Sequence, residues 1–268
     1  MENILKAKEK IKNAKRIVIK VGTSTLTYAN GKINLELINK LSWVLTTLIN
    51  QGREIILVTS GAIGVGATKL NFKERPKLTR EKQAAAAIGQ ASLMQIYQNF
   101  FNQYNQMTAQ ILLTKDDFKE GERKTNTSNT FETLIEFGVL PIVNANDTIS
   151  TFEIEFSDND TLSASVAGLL KANLLIILTD IDSLYDSNPQ KNINAKRIPY
   201  VGRVTKEIAD VAGDKGSTFS VGGMETKISA AEECYQDGVM MAIADGSDPI
   251  TIIDIINGKD IGTIFDCN

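Results

Sequence analysis

Residues 174–178 read Leu-Leu-Ile-Ile-Leu, and this apolar run ends at Thr179 and Asp180. A strand that is buried on both faces of a parallel sheet has such a continuous apolar run, whereas a strand with one solvated face alternates apolar and polar residues. Further runs rich in β-branched and apolar residues lie at 16–21, 54–59, 110–113, 140–143, 239–244 and 263–265. We therefore predict strands at these positions, most of them in one parallel sheet.

Helical patterns fill the intervals between these runs, at 35–50, 79–104, 129–137, 161–170 and 226–236. Alternation of strands and helices is typical of βαβ units, in which helices cover both faces of a parallel sheet. The sequence therefore predicts an α/β protein, a three-layer α/β/α sandwich around a mainly parallel sheet. We expect one domain over residues 1–268, with a weak internal boundary near 171–173.

The composition argues against several classes of function. The chain has 268 residues, with 29 basic and 32 acidic side chains, and this balance argues against a nucleic-acid or anionic-membrane partner. It has no histidine, so any chemistry must use Lys, Asp, Glu, Ser, Thr or the backbone. Its two cysteines form no disulfide framework and have no metal-ligand spacing. No membrane span or signal sequence is recognised, so we expect a cytoplasmic protein.

Polar residues follow several predicted strands at the point where each strand ends. In open parallel sheets, ligands bind beyond the carboxyl ends of the strands. The residues at these ends are Lys20 with Gly22–Ser24, Ser60 with Gly61, Asn144 with Asn146 and Asp147, and Thr179 with Asp180. Taken singly, each has an ordinary interpretation, such as a lysine that reaches solvent or an Asn that caps a turn. Their common position favours a ligand site.

Two further segments, at 157–163 and 220–227, are turns that lead into predicted helices. They read Ser-Asp-Asn-Asp-Thr-Leu-Ser and Ser-Val-Gly-Gly-Met-Glu-Thr-Lys. A helix N-terminus after paired glycines presents free N–H groups to an anion, and Lys227 adds a full charge there. Because Lys227 is at a helix start, we expect its side chain to be exposed. Together with the carboxylate of Asp160, these groups suit phosphate chemistry.

The glycine-rich segment at 60–66 has two interpretations. Its spacing is G-x-x-G-x-G, so it departs from the G-x-G-x-x-G pattern of dinucleotide-binding loops. A strand-to-helix turn that donates amides to a substrate carboxylate is equally compatible with this sequence. The chain also has no G-x-x-x-x-G-K-[ST] motif, so a P-loop is not expected.

Six motifs in this order resemble the amino acid kinase family and, within it, its glutamate 5-kinase branch, from about residue 14 to 265. They are I-V-I-K-V-G-T-S at 17–24, L-V-T-S-G-A-I at 57–63, P-I-V-N-A-N-D-T at 141–148, S-D-N-D-T-L-S-A at 157–164, L-T-D-I-D-S-L-Y at 178–185 and G-G-M-E-T-K at 222–227. Two motifs depart from the family pattern, at three positions. Ser220 and Val221 stand where Gly-Thr is usual, and Ser183 stands where a glycine is usual.

The resemblance implies the amino acid kinase fold, with an amino-acid-binding part at about 1–172 and an ATP-binding part at about 173–268. It implies ATP-dependent phosphorylation of the γ-carboxylate of L-glutamate, the first step of proline biosynthesis. By motif position, Lys20 and Lys227 would stabilise the transferred phosphoryl group from opposite sides, and Asp160 would hold both ammonium groups in place, so these three are the expected catalytic residues. Ser60, Asp147 and Asn159 would bind the amino acid. The residues expected to hold ATP are Thr179, Asp180, Val221, Gly222, Gly223, Met224, Glu225, Thr226 and Lys227.

The resemblance also implies Mg²⁺ that is held mainly by phosphates and water, so we expect no metal cage made by the protein. It implies a homo-oligomer with feedback inhibition by proline, and a chain without the C-terminal PUA domain of many members. Alternatives remain open: another acceptor (aspartate, N-acetylglutamate or a nucleoside monophosphate), or a non-catalytic amino-acid-sensing module of the same fold. A nicotinamide oxidoreductase would need the dinucleotide loop.

Overall fold

A central eight-stranded sheet organises the computed structural model, which describes residues 2–28, 31–150, 159–187, 189, 192–206, 208–209 and 223–267. Its strands are β1 (Arg16–Val21), β2 (Glu54–Thr59), β3 (Thr108–Leu113), β4 (Leu140–Ala145), β5 (Leu174–Thr179), β8 (Tyr200–Val201), β9 (Met240–Asp245) and β10 (Thr263–Phe265). The order across the sheet is β3-β4-β2-β1-β5-β9-β10-β8. Two short strands, β6 (Leu184–Tyr185) and β7 (Arg197–Ile198), form a separate antiparallel pair.

The six strands from β3 to β9 in this order run parallel, and β10 pairs antiparallel with β9. Lys20 of β1 lies between Val58 of β2 and Ile177 of β5 in the register. The carboxyl ends of the parallel strands therefore meet along one edge of the sheet. This edge is where the sequence placed most of the candidate residues.

Helices cover both faces of the sheet. They are α1 (Glu2–Lys12), α2 (Thr23–Leu26), α3 (Leu35–Asn50), α4 (Ala62–Lys69), α5 (Thr79–Gln103), α6 (Glu122–Glu136), α7 (Asn159–Leu169), α8 (Met224–Asp237) and α9 (Ile250–Ile256), with a short 3₁₀ helix at Lys115–Phe118. Apolar residues of α1, α3, α5 and α9 form one buried cluster with the sheet, and those of α6, α7 and α8 form the other.

Strand β5 shows why both clusters exist. Leu174, Ile176 and Leu178 belong to the first cluster, and Leu175 and Ile177 belong to the second. Side chains alternate between the two faces of a strand, so a strand covered by helices on both sides must be apolar throughout. The predicted three-layer α/β/α sandwich is therefore confirmed.

Helices α4 and α5 touch through glycines. A Cβ atom added to Gly66 would lie 1.8 Å from the Ala85 carbonyl oxygen, and one added to Gly89 would lie 1.8 Å from the Ala62 carbonyl oxygen. Only a hydrogen at these positions allows the two backbones to approach so closely. Gly61 has a φ of +103° and precedes α4, so the segment at 60–66 is a strand-to-helix turn.

Several element boundaries differ from the prediction. Helix α6 begins at Glu122, seven residues before the predicted start at 129, because its first two turns are polar and carry no apolar stripe. The predicted helices did not include α1, α2, α4, α9 or the 3₁₀ helix, and the predicted strands did not include β6, β7 or β8. Among the described residues, no helix is both long enough and apolar enough to cross a membrane.

Candidate active site

A cleft of about 530 Å³ opens at the carboxyl edge of the parallel strands. Seven residues that the sequence predicted for the site line it: Lys20, Ser60, Asp147, Asn159, Thr179, Asp180 and Lys227. They come from the ends of four strands and the starts of two helices, and they are up to 207 positions apart in the chain (227 − 20). The fold therefore brings the separate motifs to one place.

Asp160 lies between two lysines at this cleft. One carboxylate oxygen, Oδ1, pairs with Lys20 Nζ, and the other, Oδ2, accepts a hydrogen bond from Lys227 Nζ at 3.0 Å. The residue exposures are 0% for Asp160, 5% for Lys20 and 2% for Lys227. Buried charges persist only when they are paired, so the carboxylate holds the two ammonium groups in fixed positions. The three groups together keep one net positive charge.

The burial of Lys227 corrects one expectation. Its place in the first turn of α8 led us to predict an exposed side chain, but it is almost completely buried. Helix α8 packs along α7, so the start of α8 faces the start of α7, where Asp160 lies. Thr226 shares this contact, because its Oγ1 donates to Asp160 Oδ2 at 3.2 Å. Lys20 likewise does not reach solvent as an isolated strand-end lysine would.

Asn159, the first residue of α7, joins the ends of β2 and β4. Its Nδ2 lies 2.6 Å from the Thr59 carbonyl oxygen, 2.8 Å from Ser60 Oγ and 2.9 Å from Asn144 Oδ1. A backbone carbonyl only accepts hydrogen bonds, so the nitrogen of this amide must be the atom that faces Thr59. Asn159 therefore links the start of α7 to the ends of β2 and β4, in addition to being the first residue of that helix.

A side chain of helix α5 also supports the end of β2. Thr59 Oγ1 and the hydroxyl of Tyr97 are 2.8 Å apart, and both residues are fully buried. Burial raises the pKa of Tyr97, so the phenol stays neutral and hydrogen-bonded. The strand end that carries Ser60 is thus tied to helix α5.

Two residues on the other side of the cleft follow β5. Thr179 is buried, and its Oγ1 donates to Asp180 Oδ1 at 3.0 Å, whereas Asp180 itself is exposed. The Thr179 carbonyl oxygen accepts from the Gly246 amide at 2.8 Å, which ties β5 to the loop after β9. Ser183 does not have a positive φ, so the glycine that is usual in the family is not required by the backbone here.

The last predicted segment, 221–227, is described only in part. Val221 and Gly222 lie outside the described residues. Gly223 immediately precedes α8, and Met224 packs half-buried against the second apolar cluster. Glu225 is exposed, and neither it nor Met224 belongs to the described cleft lining. Within this segment, Thr226 and Lys227 are the residues whose contacts at Asp160 are described.

Several cleft-lining residues were not assigned a role from the sequence. Thr23 and Ser24 were recognised at the sheet edge and lie in α2, whereas Phe72, Lys73, Glu74 and Arg75 come from the loop after α4 and were not recognised. This loop has no apolar periodicity and no motif, so nothing in the sequence places it over the sheet edge. Asn144 was recognised at that edge, but its contacts were not. Among the described residues, no group of three or more His, Cys, Asp or Glu could hold a metal ion.

Comparison with known proteins places this cleft in a family. The family model described as the amino acid kinase family matches residues 15–245. The chain belongs to the amino acid kinase family. It is 51% identical over 259 residues to a glutamate 5-kinase of Clostridium perfringens, covering 95% of this chain and 96% of that protein. It is 52% identical over 250 residues to a glutamate 5-kinase of a Thermoanaerobacter species, covering 93% of this chain and 67% of that protein.

A solved structure supports the same fold for this family member. The crystal structure of UMP kinase from Ureaplasma parvum superposes with a TM-score of 0.66 at 17% identity, covering 94% of this chain and 99% of that one. Similarity at this level of identity concerns the fold alone. The amino acid kinase fold is therefore established for this chain from both sequence and structure.

Proposed function

We propose that this chain is a glutamate 5-kinase, which transfers a phosphoryl group from ATP to the γ-carboxylate of L-glutamate, the first step of proline biosynthesis. Identity of about half over nearly the whole chain to glutamate 5-kinases supports this assignment. The structural observation that carries it is the Asp160 carboxylate held between Lys20 and Lys227 at the cleft.

The reaction needs no general base. A glutamate side chain with a pKa of about 4.3 is already ionised at neutral pH, so the chain's lack of histidine is no obstacle. The reaction needs cations, because negative charge spreads over the oxygens of the phosphoryl group during transfer. In our proposal Lys20 and Lys227 stabilise that charge, and Asp160 positions both. Groups that are fixed before the reaction stabilise a transition state at little reorganisation cost.

We assign the acceptor side to Ser60, Asp147 and Asn159. A free amino acid carries an ammonium group, and Asp147 supplies a carboxylate at the cleft for it. Because the nitrogen of Asn159 is directed towards three protein acceptors, we assign its Oδ1 to a donor of the substrate. An acceptor-rich pocket of this kind favours glutamate with a free amine over its N-acetylated form.

We assign the ATP side to Thr179, Asp180 and the 221–227 segment. The cleft volume lies within the range of roughly 300–1,000 Å³ that is typical of small-molecule sites. Mg²⁺ bound with ATP supplies further neutralisation of phosphate charge, and Asp180 is the exposed carboxylate on this side of the cleft. Its single carboxylate fits an ion that keeps most of its ligands from phosphates and water.

We further propose, from the family resemblance, one domain with an amino-acid-binding part at about 1–172 and an ATP-binding part at about 173–268. The positions of Ser60, Asp147 and Asn159 in the first part and Thr179 and Lys227 in the second support this division. A cytoplasmic homo-oligomer inhibited by proline completes the proposal. Light scattering of the purified protein and inhibition curves with L-proline check the last two points.

The deciding experiment measures ADP release with L-glutamate, L-aspartate, N-acetyl-L-glutamate and UMP as acceptors. Hydroxylamine is added in parallel, since an acyl phosphate reacts with it to give a hydroxamate and a phosphate ester does not. We expect turnover and hydroxamate with L-glutamate, and loss of both in Asp160→Asn. Preference for N-acetyl-L-glutamate or UMP would contradict the proposal, and no turnover with any acceptor would favour a sensing module.

A further inference from the structure

A chain of three amide side chains runs from the middle of helix α5 to the cleft. Gln90 Oε1 accepts a hydrogen bond from Asn144 Nδ2 at 2.8 Å, and Asn144 Oδ1 accepts from Asn159 Nδ2 at 2.9 Å. Gln90 is 7% exposed and Asn144 is 1% exposed, so water does not replace these bonds readily. Asn159 lines the cleft, whereas Gln90 does not belong to its described lining.

Two backbone groups fix the direction of this chain. The Thr59 carbonyl oxygen requires the nitrogen of Asn159 on its side, and the Ala145 amide, 2.9 Å from Asn144 Oδ1, requires the oxygen of Asn144 on its side. With both ends of Asn144 assigned in this way, its Nδ2 must face an acceptor, and Gln90 Oε1 is that acceptor. The hydrogen bonds of the chain are therefore all donated in one direction, from Asn159 to Asn144 and from Asn144 to Gln90.

Close contact between helices holds Gln90 in place. Its neighbour Gly89 packs against the Ala62 carbonyl oxygen, where a Cβ atom would lie at 1.8 Å. This contact fixes the distance from α5 to the start of α4, which directly follows Ser60 and Gly61. The backbone of Gln90 is thus held against the same strand end that its side chain supports through Asn144.

We propose that Gln90 is a positioning residue for the acceptor substrate, an inference that rests on the proposed function. Without its oxygen, Asn144 Nδ2 becomes a buried donor without its acceptor, and the side chain can relieve this cost only by shifting or rotating. A rotated Asn144 presents nitrogen to Asn159 Nδ2 and to the Ala145 amide, so two donor–acceptor pairs become donor–donor pairs. Either movement removes the bond that Asn159 Nδ2 donates to Asn144 Oδ1. Asn159 then keeps only the Thr59 carbonyl oxygen and Ser60 Oγ as acceptors, and its own oxygen is held less firmly at the cleft.

The test replaces Gln90 by methionine, which has a similar shape but neither accepts nor donates a strong hydrogen bond. We expect the KM for L-glutamate in Gln90→Met to rise roughly 5- to 100-fold, the effect of leaving one buried polar group without its partner. The KM for ATP should change less than about two-fold on the same reasoning.

Leu93→Ala is the matched control, since Leu93 lies in the same helix and is 1% exposed in the apolar core. It should lower Tm and leave both KM values near those of the wild type. An equal rise in both KM values for Gln90→Met, or the same pattern in Leu93→Ala, would overturn the proposal. Isothermal titration with L-glutamate separates the two claims. A wild type that does not turn over overturns the proposed function, whereas an unchanged Kd in Gln90→Met overturns the role of Gln90.

Discussion

Asp160 is the cleft residue whose substitution should affect both stability and turnover most, because both buried lysines pair with it. Asp160→Asn keeps the shape and removes the charge. Removing one partner of a buried ion pair typically costs about 3–5 kcal/mol, so the free energy of unfolding should fall by an amount of that order. Turnover should collapse, since the lysines lose the group that fixes their geometry.

Urea denaturation and steady-state kinetics measure the two effects of Asp160→Asn separately. Asp182→Asn is a suitable control, because Asp182 is exposed and the hydroxyl of Tyr185 is the partner described for its carboxylate. That control should leave stability within about 0.5 kcal/mol of the wild type. Normal turnover in Asp160→Asn would remove the carboxylate from the mechanism.

Asp147 tests the assignment of the acceptor side. A charge-assisted hydrogen bond is worth about 1.5–3 kcal/mol, so Asp147→Ala should raise the KM for L-glutamate roughly 10- to 150-fold. The KM for ATP should stay nearly constant. Asp180→Ala is the reciprocal control and should affect ATP instead. If Asp147→Ala lowers Tm without a selective change in KM, Asp147 serves the turn after β4 and not the substrate.

At the scale of elements, the α4–α5 contact is the tightest that depends on glycine. In Gly89→Ala the new Cβ would overlap the Ala62 carbonyl oxygen, so helix α5 must move. Overpacking of this kind usually costs about 1–3 kcal/mol, and we expect at least that loss in the free energy of unfolding. Because α5 carries Gln90, the KM for L-glutamate should rise as well.

Gly64→Ala is the control for this prediction. Gly64 lies in the partner helix α4, but a Cβ there would meet nothing within 4 Å, and its φ is not positive. Alanine favours the helix over glycine by roughly 0.5–1 kcal/mol, so stability should rise slightly. Equal stability of Gly89→Ala and Gly64→Ala, measured by urea denaturation, would show that the helices are not held in backbone contact.

Helices α7 and α8 meet at a second contact with a pH-dependent component. Burial raises the pKa of Glu233, whose Oε1 accepts a hydrogen bond from Ser165 Oγ at 2.5 Å. The folded state therefore binds this proton more tightly than the unfolded state does, and stability falls as pH rises from the ordinary pKa through the raised one. Glu233→Gln should be more stable than the wild type at pH 8. The difference should shrink to near zero below pH 4 in denaturation curves, and a constant difference would contradict the assignment.

How far the sequence predicts the elements depends on their burial. Strands such as β1, β2 and β5 were predicted with the observed boundaries, because strands buried on both faces must be apolar throughout. The polar start of α6 and the short strands β6 and β7 carry no such signal. The pairing of Asp160 with both lysines was predicted only from the family resemblance, and the burial of Lys227 was missed because nothing local to it shows that α7 covers it.

At the scale of the whole molecule, the cleft differs in charge from the rest of the protein. The chain carries a net charge of −3, whereas the cleft-lining residues include the cations Lys20, Lys73, Arg75 and Lys227 and the anions Glu74, Asp147 and Asp180. Glu74 pairs with Lys77 at 3.2 Å, which leaves the rim of the cleft more positive. Asp160 offsets part of the charge of Lys20 and Lys227, so the attraction of anionic substrates to the cleft rests on the rim cations Lys73 and Arg75.

Lys73 and Arg75 lie on the exposed loop after α4 and are the rim cations of this cleft. Charges at a cleft rim raise association rates, and the effect weakens as salt screens them. The double variant Lys73→Ser with Arg75→Ser should lower kcat/KM for ATP by about 3- to 10-fold at 20 mM salt and much less at 300 mM. The control, Lys69→Ser with Arg80→Ser, removes the same charge from exposed positions outside the described cleft lining. If both double variants lose the same fraction of kcat/KM, the net charge of the molecule matters and the rim does not. A loss that persists at high salt would mean that the rim side chains contact the substrate directly.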